Sequence, residues 1–330
     1  MIFLEDSQKI DILSLDLPQL ELKMAEIGEK KFRAKQIFQW LHVKSLFVAK
    51  RLESCIDNTV KYLYRLPDGN YVETVLMEYH YGRSICVSTQ VGCKMGCSFC
   101  ASAIAGFVRN LTPSEILMQI YMTEKDMGIK ISGVVLMSIG EPLDNYENVV
   151  KFLRLLSDKN GNNLSLRHVS LSTCGIVPKI YQLAEEKFGL TLSVSLHCAD
   201  SVERSKIMPV NRVYSLDELM KACRFYIEKT GRRITFEYAV IDGVNVSEEN
   251  AGKLVSLLRG MNCHVNIIPV NKVKERNYSS KKSSAETFAQ YLSKRGLNAT
   301  VRRTLGSDIN AACGQLRRDT LKLEKTGGVN

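Results

Sequence analysis

The sequence predicts an α/β fold, a full or partial β/α barrel behind a small helical N-terminal region. Two observations predict it. From residue 84 onward, short β-branched runs recur at 85–89, 131–138, 168–173, 190–196, 233–241, 264–270 and 299–304, separated by helix-length amphipathic stretches. Strands that alternate with helices imply parallel βαβ units, and six or seven of them suit a barrel. Chemistry-bearing residues also gather where these runs end. Cys93 follows the first, Gly140 and Glu141 the second, Ser172 ends the third, Ser195 and His197 close the fourth, and Asn271 follows the sixth. Barrels keep functional residues at that face. A doubly wound open sheet is the alternative.

The elements follow in order. Residues 8–65 read mainly as helical: Leu13, Leu15, Leu17, Leu20 and Leu22 precede KKFRAKQIFQWLH, with apolar residues on one face and basic ones on the other. KYLYRLPDGNYVETVLMEYHYG reads as two strands about a Pro67-Asp68-Gly69-Asn70 turn. Thr112-Pro113-Ser114-Glu115 is a helix start with a cap, a first-turn proline and a capping-box glutamate, and Ser215-Leu216-Asp217-Glu218 is another. The expected division is a helical accessory domain over 1–65, a β-extension over 66–83, the barrel over 84–304 and a tail over 305–330.

Bulk composition bounds the class. The chain has 330 residues, 45% of them apolar, enough for one large domain with an appendage. No apolar run reaches the roughly 18 residues of a membrane span. The first residues lack a secretory pattern, so a cytoplasmic location is expected. The net charge of +10 suggests a polyanionic partner. Lys30, Lys31, Arg33 and Lys35 form one basic group, Lys272, Lys274, Arg276, Lys281 and Lys282 a second, and Arg302, Arg303, Arg317, Arg318, Lys322 and Lys325 a third.

Three of the ten cysteines, Cys93, Cys97 and Cys100, fall within eight residues. The C-x3-C-x2-C spacing lets three thiolates hold three irons of a 4Fe-4S cubane and leaves the fourth iron open. An open iron is what a chelating ligand such as S-adenosylmethionine (SAM) requires. Zinc is the metal alternative, and it would need a distant fourth ligand such as Cys86. Most other cysteines, including Cys174, Cys198, Cys223 and Cys263, read as small core residues.

The cysteine loop, with Phe99 before its third cysteine, resembles the radical SAM superfamily. Ser138-Ile139-Gly140-Glu141-Pro142 resembles that superfamily's SAM amino-group motif. Longer strings are similar to the RlmN/Cfr family of RNA methyltransferases: FRAKQIFQWLH, GNYVETVLM, CVSTQVGCKMGCSFC, GFVRNLTPSEI, IGEPLDN, LSTCGIVP, SVSLHCADSVERSKIMPVN, NIIPVN and VRRTLGSDINAACGQL. They span residues 31–316 in order.

The resemblance implies a partial (β/α)6-type radical SAM barrel and a set of roles. Cys93, Cys97 and Cys100 would ligate the cluster, and Gly140, Glu141, Ser172, Ser195, Leu196, His197 and Asn271 would line the SAM site. Cys313 would carry a methyl group. Carbon C2 of adenine is not nucleophilic, so the family moves carbon through an S-methylcysteine and a radical made from a second SAM. Cys86 would release the base by forming a transient disulfide with Cys313, and Glu73 would accept the ring proton. The implied partners are 23S rRNA, tRNA and a flavodoxin-type electron donor, with no membrane and with the chain acting as a monomer.

Each residue also has a plainer reading. Glu73 sits in a strand where an exposed carboxylate is ordinary, Cys86 could be strand packing, His197 a barrel-rim histidine and Cys313 an inert late cysteine. Two departures from the family stand out. The stretch between Trp40 and Lys61 is short, which by the resemblance implies that part of the accessory domain is missing; and position 138 is Ser where Gly is commoner. Pro142 resembles the C2 enzymes rather than the C8 branch. The competing functions are C8 methylation, a different radical SAM enzyme, and a non-catalytic iron–sulfur or zinc RNA-binding protein.

Overall fold

The computed structural model describes residues 10–43, 50–104, 106–270, 278–309, 316–317 and 320. The N-terminal region supplies α1 (Leu17–Glu26) and α2 (Lys31–Val43), then strands β1 (Lys50–Glu53), β2 (Val60–Arg65) and β3 (Tyr71–Tyr79). Next come β4 (Gly82–Cys86), β5 (Gln90–Gly92), α3 (Ala101–Ile104), β6 (Phe107–Asn110) and α4 (Pro113–Met127). Alternation then follows: β7 (Gly133–Leu136), α5 (Tyr146–Ser157), β8 (Val169–Thr173), α6 (Val177–Glu185), β9 (Thr191–Ser195), α7 (Ser201–Ile207), α8 (Leu216–Thr230), β10 (Ile234–Val240), α9 (Glu248–Leu258), β11 (Cys263–Pro269), α10 (Lys282–Lys294) and β12 (Ala299–Val301).

Ten strands form one sheet in the order β1-β2-β3-β4-β7-β8-β9-β10-β11-β12. Strands β4 and β7 to β12 pair in parallel, whereas β1 to β4 pair antiparallel. Each β-branched run of the sequence is therefore a parallel strand. Among the described residues the sheet does not close, because β1 and β12 are opposite edges; the architecture is an open, partial barrel.

The core follows from the pleat. Val134, Leu136, Val169, Leu171, Leu192, Val194, Phe236, Tyr238, Val265 and Ile267 are buried. They are buried in one cluster with the apolar face of α5, which contributes Val149, Val150, Phe152, Leu153, Leu155 and Leu156. Side chains of this size contribute about 1.5–3 kcal/mol each when buried. Two expected helix starts are present, with full capping boxes at Thr112/Glu115 and Ser215/Glu218.

Two expectations need correction. Residues 50–60 are not helical: they supply β1, a turn and the start of β2, whose remainder is the strand expected at KYLYR, and the ladder from β2 to β3 runs across the expected boundary at 65/66. Pairing decides this, because KRLE alone carries no strand signal. In addition, Cys93 does not directly follow the first barrel strand. The ribbon of β5 and β6, a separate two-stranded sheet, starts in between.

Candidate active site

The cysteine loop hangs from this ribbon. Gly92 has φ +80°, and a Cβ there would lie 1.7 Å from the Gly106 carbonyl oxygen, so only glycine lets the two strands meet. The Cys93 N–H then donates to the same carbonyl at 3.2 Å. On the far side of the loop, the Ser98 N–H donates to the Ile207 carbonyl at 2.9 Å. Cys97 is buried, while Cys93 and Cys100 are half-buried.

Burial pushes the Cys93 thiol up to about 12, and the neighbouring Cys100, Glu141 and Asp144 add to the rise. Burial likewise raises Cys97, with Cys100 and Cys93 next in effect. Three thiols that oppose one another's ionisation fit a cationic cluster, which would supply the missing positive charge. Cys86, the candidate fourth zinc ligand, belongs elsewhere: it packs with Val75 and Met77, whereas Cys97 packs with Cys174 and Cys198. Among the described residues no three His, Cys, Asp or Glu side chains gather as a single metal ion needs. A cubane instead asks for one thiolate per iron.

Gly140 and Glu141 lie beyond β7. Gly140 has φ +110°, and a Cβ there would come within 2.7 Å of Gln90 Cβ. The Glu141 N–H donates to Gln90 Oε1 at 2.9 Å, and Gln90 Nε2 donates to Asn110 and Asp144, each at 2.8 Å. The Glu141 carboxylate accepts from the Leu143 N–H at 3.0 Å and the Cys174 N–H at 2.7 Å. Burial raises its pKa against those hydrogen bonds. It is a buried, oriented acceptor, suited to an ammonium group.

His197 takes φ +59°, a left-handed backbone that marks a constrained position. Its Nδ1 accepts the Ala239 N–H at 2.9 Å, so the neutral ring presents Nε2–H as a donor. Burial, then Arg204, lowers its pKa to about 3. Phe99 of the cysteine loop packs edge-on against it, with ring centroids 4.7 Å apart. Ser172 and Ser195 are half-buried near their strand ends. The Leu196 side chain is fully buried in the core, and its N–H donates to the Glu237 carbonyl at 3.0 Å.

Arg204 is a buried tie beside the site that pattern reading missed. It is 1% exposed, and its guanidinium donates to the carbonyls of Leu196 (3.1 Å), Cys174 (2.7 Å) and Ser195 (3.1 Å) and to Asn211 Oδ1 (2.8 Å). One buried cation thus ties the ends of β8 and β9 together. Its only signal in the sequence was its place within SVERSKIMPVN.

Glu73, on β3, is fully buried rather than exposed. Its Oε2 meets Lys61 Nζ at 2.9 Å, and its Oε1 accepts the Arg317 N–H at 2.6 Å. The Ser138 hydroxyl donates to the Glu73 carbonyl at 2.9 Å, which gives the unusual serine a role. Val75 pairs with Cys86 across the ladder, and Leu305 of the tail packs against the cluster they form with Met77. Arg317, expected in a basic surface group, is 3% exposed. Asn271 and Cys313 lie outside the described residues.

The comparisons agree with this geometry. Residues 87–255 match the radical SAM superfamily, and residues 10–47 match the ribosomal RNA large subunit methyltransferase N-terminal domain. A dual-specificity RNA methyltransferase RlmN of Lachnoclostridium phytofermentans is 50% identical over 94% of this chain and 95% of its own. One of the same name from Clostridium botulinum is 49% identical over 96% and 99%. The first alignment has 339 positions, more than 94% of this chain can fill, so that relative carries residues this chain lacks. A crystal structure of a radical SAM methyltransferase from Sphaerobacter thermophilus superposes with a TM-score of 0.87 at 39% identity, covering 93% of this chain and 99% of the other. The Streptococcus suis SuiB structure with bound S-adenosylmethionine shares the fold at 17% identity and a TM-score of 0.51, covering 67% of this chain and 51% of that one. Identity of this order across nearly the full length of both chains shows that the chain belongs to the RlmN family of radical SAM RNA methyltransferases.

Proposed function

We propose that this chain methylates C2 of an adenine in 23S rRNA and in tRNA, with Cys313 as methyl carrier, Cys86 as resolving thiol and Glu73 as proton acceptor. The observation that carries the reading is the meeting of three distant segments. Glu73, Cys86 and the tail residues Leu305 and Arg317 converge on one face of β3 and β4. The C8 alternative has no support among the relatives described, which bear the RlmN name.

The 4Fe-4S cluster and SAM of this superfamily supply, when bound, the electron, the methyl group and the carbon radical. The chain's residues do the rest. Cys93, Cys97 and Cys100 hold the cluster. Glu141 would accept from the SAM ammonium, and the His197 Nε2–H would donate to an acceptor atom of SAM. Ser172, Ser195 and Asn271 complete that pocket, with Gly140 allowing close approach and Leu196 acting through its backbone. Cys86 sulfur gives up its proton and bonds to Cys313 sulfur as the carbon–sulfur link to the base breaks; that bond's electron pair stays with the departing carbon, which takes up a proton to become the methyl group. Glu73, within reach of that face, takes the ring proton.

The partner is RNA, met through a basic surface: Lys30, Lys31, Arg33 and Lys35 are exposed on and before α2. A flavodoxin-type protein donates electrons to the monomeric, cytoplasmic enzyme. Among the described residues no helix is long and apolar enough to cross a membrane.

The test is anaerobic incubation of the reconstituted protein with rRNA or tRNA, SAM and reductant, followed by nucleoside mass spectrometry. 2-Methyladenosine is expected. 8-Methyladenosine would move the chain to the C8 branch, and 5′-deoxyadenosine with no methylated nucleoside would indicate a different radical SAM enzyme. Bound zinc without SAM cleavage would leave an RNA-binding protein.

A further inference from the structure

We propose that the turn between β1 and β2, residues 54–59, is a clasp that positions the C-terminal segment against the active face. The inference rests on the reading of Cys313 as methyl carrier. Contacts between turn and tail are reciprocal. Asp308 of the tail accepts from the Ser54 hydroxyl at 2.7 Å, the Cys55 N–H at 3.0 Å and the Cys55 thiol at 3.3 Å. Asp57 of the turn accepts from the Gly306 N–H at 2.8 Å. Each partner thus offers a carboxylate to the other's backbone, an arrangement that specifies register as well as proximity.

The turn is shaped for this. The Ser54 N–H donates to the Thr59 carbonyl at 2.8 Å, and Asn58 adopts φ +55°. The Ser54 hydroxyl also accepts the Ile56 N–H at 3.1 Å, so it is held in place while it donates to Asp308. The hydrogen bonds from Ser54 and Cys55 hold Asp308 below the usual carboxylate range.

The clasp has a counterpart. Leu305 packs on the cluster of Val75, Met77 and Cys86, and Arg317 is bound to Glu73. Position 313 lies five residues after Asp308 and four before Arg317. Asp308 and Arg317, which flank position 313 in the sequence, are therefore both bound, and both holds come from residues 54–73. Ser54, Asp57 and Asp308 are positioning residues, and a segment fixed at both ends loses less freedom on reaching its target.

The test uses the full-length reconstituted enzyme with Asp308→Ala, Asp57→Ala and Ser54→Ala, and with Ser54→Thr as the conservative rescue. Hydrogen exchange of peptides from 303–317 should quicken about tenfold in the Ala variants, the loss expected for one charge-assisted hydrogen bond. RNA-independent cleavage of SAM should stay within about twofold of the parent, because the cluster loop is untouched. Methyl occupancy of Cys313, read by peptide mass spectrometry, should fall about fivefold and RNA methylation with it, while Ser54→Thr restores both. Unchanged exchange in all three Ala variants would overturn the clasp. Faster exchange with undiminished occupancy of Cys313 would overturn its positioning role. A parent that methylates RNA with no methyl ever found on Cys313 would instead sink the carrier reading, and the positioning role with it.

Discussion

Glu73 Oε1 accepts the backbone N–H of Arg317 at 2.6 Å, across 244 residues of sequence, while Glu73 Oε2 holds Lys61 Nζ at 2.9 Å. All three residues are buried, Lys61 and Glu73 completely. The carboxylate proposed above as proton acceptor is thus also bound to the tail.

Removing one member of this pair leaves a buried charge without its main partner. Lys61→Met should lower the unfolding free energy by roughly 3–5 kcal/mol, and Lys61→Met with Glu73→Leu by less than the single change. Urea denaturation of both proteins measures this. A double variant no more stable than Lys61→Met would show that the two charges are not coupled.

Arg204→Met removes three charge-assisted hydrogen bonds from the ends of β8 and β9 and a fourth to Asn211. A stability loss of about 3 kcal/mol or more is expected. Calorimetric SAM affinity should weaken at least about tenfold, since the strand ends beside Ser195 and Leu196 lose their common tie. Affinity equal to the parent's would remove Arg204 from the site.

Gly92→Ala places a methyl group against the Gly106 carbonyl at a backbone φ of +80°. The ribbon must open, and the Cys93 hydrogen bond to Gly106 goes with it. Iron content after reconstitution should drop well below the parent's, with circular dichroism of the barrel unchanged. Full iron loading would show that the ribbon does not shape the cluster loop.

His197 gives a pH signature. Its folded pKa is about 3 against 6.5 for the free group, so between these values the unfolded chain binds a proton that the folded chain refuses. Stability therefore falls as pH drops below 6.5, by about 1.4 kcal/mol per pH unit from this residue, or roughly 2 kcal/mol by pH 5. His197→Asn should flatten that part of the profile. Parallel profiles for parent and variant in urea titrations would mean that His197 is not held neutral.

Much of this molecule was legible in advance. Seven β-branched runs are seven parallel strands, because alternate side chains of a buried strand advertise its period wherever it sits. The cysteine spacing likewise declared its chemistry, since three thiolates on one loop need no distant help. The turn at Pro67 and the caps at Thr112 and Ser215 are local geometry, written in adjacent residues.

What escaped was long-range. KRLE at 50–53 carries no strand signal, and only pairing with β2 makes it one. Glu73 reads as a solvent-facing residue; it is buried because Lys61 and Arg317 close over it. Gln90, Arg204 and Asp308 read as ordinary polar residues until folding brings their partners, the nearest of them seven residues away and the farthest 254. Periodicity and ligand spacing are properties of neighbouring residues, so the sequence by itself determined the strands and the cluster loop. A charge's burial depends on which remote group arrives to meet it, and that only the tertiary structure decided.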